Sequence, residues 1–188
     1  MTMTRFILTA ATMALLLFGS ARPALAQLDS AESTATLTAV LPESLTVSLL
    51  PGAVNFTLSS GSANNAGNLP IAVTTTWTLA VTRTDVALYA YFSSASAALV
   101  HTIPASTVDI PSARVEVSVN GAAAVPLDQT VAFGAASAGR RIFTQNLTAL
   151  TASSSRTDSL ALNINLSSYS LPADTYTGTL RLRARATP

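Results

Sequence analysis

Cysteine is absent from all 188 residues, and so is lysine: the ten basic residues are all arginine. Without cysteine there are no disulfides, no thiolate metal ligands and no lipid carried on sulfur, so stability has to come from core packing and backbone pairing. Without lysine there are no Lys–Asn isopeptide crosslinks and no lysine-linked covalent polymerisation, so any polymer is non-covalent. Histidine occurs once, as His101, which leaves only oxygen ligands for a metal. The acids Asp29, Glu32, Glu43, Asp85, Asp109, Glu116, Asp128, Asp158 and Asp174 are scattered without the spacing of a calcium loop. No cofactor or metal is expected.

Catalytic patterns are equally scarce. His101 falls between Val100 and Thr102 in an expected loop, where it reads as an exposed loop histidine, and no Gly-x-Ser-x-Gly elbow supplies a nucleophile. Glu116 lies between Arg114 and Ser118 on the polar side of its run, which suits a solvated face. The expectation is a protein that is not an enzyme.

The first residues carry an export pattern. Arg5 is the only charge before the apolar stretch 6–18, which is followed by Gly19, Pro23 and the small-x-small triplet Ala24-Leu25-Ala26. This order reads as a signal peptide over residues 1–26, cleaved between Ala26 and Gln27. The stretch is shorter than the roughly 20 residues a bilayer span requires, and no later stretch is apolar enough to cross, so the mature chain is expected to have no transmembrane segment. The expected location is the periplasm, the cell surface or the medium. Residues 27–188 then form one domain, long enough to bury roughly two thirds of its unfolded surface. Losing Arg5 and Arg22 leaves eight arginines against nine acids, a net charge of −1 that gives no basic footprint for nucleic acid.

Within that domain the apolar period is close to two, the signature of half-buried strands. The clearest run sets Ile71, Val73, Thr75, Trp77, Leu79 and Val81 against Ala72, Thr74, Thr76, Thr78, Ala80 and Thr82, and predicts a central strand with Trp77 facing the core. Similar alternation predicts strands around Leu45–Val47–Leu49, Val54–Phe56–Leu58, residues 86–92, 115–119, 130–133, 141–150, 160–166 and 175–186. Asn120-Gly121 predicts a two-residue hairpin turn returning through residues 122–125. Residues 149–156 read as a loop, and residues 33–41 as a weak first strand paired within its own domain. The resulting fold class is all-β, an antiparallel β-sandwich of about nine or ten strands. On the last strand Arg181, Arg183 and Arg185 share one face, either as a contact for an anion or polysaccharide or as charges that discourage edge-to-edge aggregation.

The stretch Pro172-Ala173-Asp174-Thr175-Tyr176-Thr177-Gly178-Thr179-Leu180 resembles the Pro-Ala-Gly-Thr-Tyr-x-x-Thr segment that opens the final strand of exported bacterial immunoglobulin-like sandwiches, including spore coat protein U-like and fimbrial-type subunits. Trp77-Thr78-Leu79-Ala80-Val81 is similar to the Trp-x-Leu-x-Val strand of related secreted proteins. Those subunits commonly carry a disulfide and a near-terminal Tyr, whereas this chain has no Cys and ends Arg185-Ala186-Thr187-Pro188. The resemblance implies an immunoglobulin-like fold and a non-enzymatic structural or adhesive component of the cell envelope, with other copies of itself or other envelope proteins as partners. The alternative is a monomeric secreted or periplasmic module that binds carbohydrate or another exported protein through the loops 59–70 or 93–106. Tyr176 is expected to hydrogen-bond back across a corner, as a tyrosine entering a late strand does in such folds.

Overall fold

The computed structural model describes residues 28–128, 130, 133 and 140–188. The signal segment and the Ala26–Gln27 cleavage point lie outside the described residues, as do two residues of the expected strand 130–133. The chain divides into two compact units, Met1–Ala39 and Val40–Pro188. In the first unit the described residues, 28–39, form no helix or strand and are exposed throughout. The expected first strand over 33–41 therefore does not form. Two of the four side chains on its apolar side are alanine, and Leu37 and Leu41 stand 93% and 81% exposed.

The second unit is an antiparallel β-sandwich, and ten strands lie among the described residues: β1 Ser44–Leu50, β2 Ile71–Thr78, β3 Asp85–Tyr91, β4 Leu99–His101, β5 Val115–Val119, β6 Val125–Pro126, β7 Arg140–Asn146, β8 Ser153–Ile164, β9 Tyr176–Gly178 and β10 Arg181–Thr187. One sheet has the order β1-β2-β8-β5-β6 and the other β10-β3-β7, with β4 and β9 as a short separate pair. No helix among the described residues is long and apolar enough to cross a membrane.

Alternation places the core as expected. Ile71, Val73, Thr75 and Trp77 on β2 are buried, as are Val86, Leu88 and Ala90 on β3 and Leu160, Leu162 and Ile164 on β8. Outward threonines bond across strands: Thr74 Oγ1 lies 2.8 Å from Thr157 Oγ1. The Trp77 ring is buried and its Nε1–H donates to the Thr151 carbonyl at 2.9 Å, so its one polar atom is satisfied inside the core. Asn120 and Gly121 adopt φ of 51° and 79°, the left-handed pair a type I′ turn requires, and β6 pairs back onto β5.

Several boundaries differ from the expectation. Residues 153–156 belong to β8 rather than to a loop, because their polar side chains lie opposite Thr75, Thr76, Trp77 and Thr78 and the backbone completes the ladder with β2. Strand β7 stops at Asn146, where Leu147 N–H turns to the Thr84 carbonyl and Thr148 and Thr151 close a tight turn. Strand β2 stops at Thr78; beyond it, Ala80 N–H donates to the Glu43 carboxylate at 2.7 Å. That carboxylate also accepts from Arg83 Nε and Nη2, and the Arg83 bond, followed by the Ala80 bond, holds its pKa down to about 2.

The expected single strand over 175–186 is two strands. β10 pairs with β3 and β9 with β4, and residues 92–98 separate those partners in sequence, so the strand breaks at Thr179-Leu180 to follow both. Val54, Phe56 and Leu58 do alternate toward the core, but they form only one bridge, Phe56 to Gly67. Side chains replace a ladder there: Asn68 Oδ1 accepts from Asn55 N–H and Asn65 Oδ1 from Ser59 N–H.

Among the described residues, the Thr75 hydroxyl is buried without a hydrogen-bond partner. Thr75→Val replaces it with a methyl of the same shape and is expected to stabilise the fold by about 1 kcal/mol, since an unpaired buried polar group is unfavourable. A rise in melting temperature of about 2–4 °C is the expected result. An unchanged or lowered value would mean that the hydroxyl is paired.

Candidate functional site

A groove of about 660 Å³ lies between two stretches of chain. Residues 51–58 form one wall and residues 174–180 the other, and the core side chains Ile71, Phe92, Val115, Leu162 and Ile164 form the floor. Both walls adjoin sheet edges: among the described residues β1 pairs only with β2, and β10 only with β3. The groove therefore combines an apolar floor with backbone edges that have pairing capacity to spare.

Three anchors shape the far wall. Asp174 accepts hydrogen bonds from Thr102 Oγ1, from the backbone N–H groups of Thr102 and Ile103, and from Thr175 N–H. Burial pushes its carboxyl pKa up, but these bonds outweigh burial and hold it below the ordinary value. Tyr176 donates its hydroxyl to the Pro172 carbonyl at 3.0 Å, the corner bond expected of it. Its own pKa is raised, by burial first and then by the neighbouring Asp174 charge. Gly178 lies so close to the Ala98 carbonyl that a Cβ there would collide with the backbone oxygen.

His101 corrects the sequence reading. It closes β4 opposite Tyr176, is half-buried, and its Nδ1 lies 2.7 Å from Asp109 Oδ1, which also accepts the His101 N–H at 3.0 Å. The His101 backbone bond, then its side chain, holds the Asp109 carboxyl below its usual range. The pair ties the end of β4 to residue 109.

The two loops considered as binding surfaces are both anchored. Asn65, 3% exposed, bonds through its amide to Ser59 N–H and to the carbonyls of Ser62 and Ile164, which fixes the loop 59–70 from within. The loop 93–106 is held through Asp109 and Asp174. Glu116 accepts from Asn163 and Asn165, so it belongs to a side-chain network across β5 and β8 rather than to a bare solvated face.

Arg181, Arg183 and Arg185 project from β10 as expected, all exposed. The structure adds an aromatic to them: the guanidinium carbons of Arg183 and Arg185 lie 5.1 and 5.5 Å from the Phe133 ring centre. Phe133 in turn meets Tyr89 edge-on at 5.3 Å.

A buried polar cluster escaped the sequence reading. Asp158, 1% exposed, points inward from β8 and accepts from Arg156 Nε at 2.9 Å and from Asn120 Nδ2 at 2.7 Å. Arg156 lies over the Phe143 ring at 4.6 Å, and its pKa is raised by the bond to Asp158. The signal was available: Arg156 and Asp158 share the side of the alternation that carries Leu160, Leu162 and Ile164. Reading 149–156 as a loop hid it.

No protein-family model matches this chain, and no curated protein matches it.

Asp158→Ala is expected to destabilise the fold by about 3 kcal/mol, because it strips Arg156 and Asn120 of their partner at the end of the core. A loss below about 1 kcal/mol in denaturant unfolding would show that Arg156 is resolvated freely. Gly178→Ala is expected to cost about 1–3 kcal/mol through backbone displacement at the β4–β9 pair. A melting temperature equal to that of the parent would refute the close approach.

Proposed function

We propose that the chain is a non-enzymatic, exported cell-envelope protein that serves as a structural or adhesive subunit and assembles without covalent links by adding strands between copies. The groove receives the extended segment 33–41 of a second copy. The observation that carries this reading is the coexistence, in one chain, of a groove with an apolar floor beside two sheet edges and an exposed segment whose side chains alternate. In such an addition, main-chain hydrogen bonds supply affinity and every second side chain enters the groove. Ala35, Leu37, Ala39 and Leu41 fall on one side of segment 33–41, and Thr34, Thr36 and Thr38 on the other. Small side chains suit a floor already closed by core residues. The Ala24-Leu25-Ala26 pattern before Gln27 supports export, and the absence of lysine and cysteine supports a non-covalent mode of assembly.

The test is deletion of residues 28–41 followed by native mass measurement and thermal unfolding. The parent protein is expected to form oligomers and the deleted protein a monomer with a lowered melting temperature, because the groove has lost its occupant. A synthetic peptide of residues 33–41 is then expected to raise the melting temperature of the deleted protein, as any ligand of the native state does. A parent that is monomeric at all concentrations, or a peptide without effect, would overturn the reading.

A further inference from the structure

Strand β10 has two sides with different chemistry. Leu182 lines the groove, while the arginines two residues apart project from the opposite face of the sheet. Register extends that face. Arg181 lies opposite Tyr91 and Arg183 opposite Tyr89, and Tyr89 has Arg141 of β7 as its other neighbour. The outer face of β10-β3-β7 thus gathers Arg141, Arg181, Arg183 and Arg185 around two tyrosines.

None of these four cations forms an ion pair among the described residues; Asp85, at the end of the same face opposite Thr187, is bonded to Thr84 and Thr187 instead. The ion pairs among the described residues use Arg83, Arg140, Arg156 and His101, and none involves the four arginines of this face. The residues outside the described set contain no Asp or Glu, so no acid there supplies the missing partner. Half of the eight arginines that follow Arg22 are therefore concentrated, unpaired, on one face of a nearly neutral chain. Like charges side by side on a sheet are unfavourable. Phe133 adds order, because a guanidinium resting on an aromatic ring is held in place while its in-plane N–H donors still reach outward.

From this arrangement we infer that the outer face of β10-β3-β7 is a docking surface for a linear, carboxylate-bearing polysaccharide. The planar fork of arginine matches a carboxylate through two parallel hydrogen bonds. The backbone positions of the three outward arginines recur at about 6.8 Å along the strand, which suits an extended chain of regularly spaced anions better than a compact ligand. Tyr91, half-buried opposite Arg181, offers ring surface to sugar rings. Nucleic acid is disfavoured by the near-neutral net charge. An anionic membrane is disfavoured because the outward positions alternate arginine and tyrosine with Ala87 and Thr144 and include no protruding aliphatic side chain. The inference is independent of the strand-adding groove, which lies on the other side of β10.

The experiment is binding of fluorescently labelled polygalacturonate to the purified protein at low ionic strength, with dextran, duplex DNA and vesicles of anionic phospholipid as comparisons. Binding to polygalacturonate alone is expected, weakening as salt is added. Arg183→Ala combined with Arg185→Ala is expected to lower affinity at least tenfold, while Arg83→Ala, at an arginine away from this face, leaves it unchanged. Arg183→Lys combined with Arg185→Lys keeps the edge charge and so guards against aggregation. It is expected to lose affinity several-fold because an ammonium lacks the fork. Binding no stronger than to dextran, full affinity in either double variant, or equal affinity for DNA or vesicles would overturn the inference.

Discussion

The ladder on both sides of β8 is the constraint on which the rest of this sandwich depends. Its first residues pair with β2 and its last with β5, so it joins the two parts of the larger sheet, and its inward Leu160, Leu162 and Ile164 contribute the middle of the core. A chain without disulfides has no other means of holding distant segments together, and here backbone bonds and apolar contact along twelve residues take that role. The hairpin at Asn120-Gly121 and the loop at Asn65 both attach to this strand: Asn120 bonds Asp158 and Ser159, and Asn65 bonds Ile164.

Three settings of charge contrast in this molecule. Arg156 and Asp158 meet at the end of the core, where the carboxylate is buried and three hydrogen-bond donors face it from Arg156 and Asn120. Glu43 and Arg83 meet at the surface and tie the entrance of β1 to the turn after β2. The arginines of β10 meet no acid at all. A buried carboxylate without donors would be strongly unfavourable, whereas an exposed guanidinium keeps its water, so only the first setting required a specific partner.

The free edges and the outer face of one strand give the functional reading its shape. β10 closes neither its sheet nor the groove beside it; its inward leucine faces an apolar floor and its outward arginines face solvent. A sandwich whose edges were fully covered would offer neither surface. Strand addition at the groove and polyanion docking on the face draw on opposite sides of the same alternation, so the two readings require no shared residue.

Alternation was enough, in the sequence alone, to determine an all-β chain, the inward face of β2 with Trp77, the outward arginines of β10 and the turn at Asn120-Gly121, because side-chain direction in a strand and the left-handed preference of Asn-Gly are local properties. It did not determine where strands end or which strands are neighbours. Residues 153–156 look like a serine-rich loop until β2 supplies a partner, and residues 175–186 look like one strand until two separate partners divide them. Residues 33–41 alternate like a strand yet form none. The bond from Asn120 to Asp158, the aromatic beside the arginines and the groove itself all join residues far apart in sequence. Only tertiary structure decided them, since a period of two states which way a side chain points and carries no information about what it will meet.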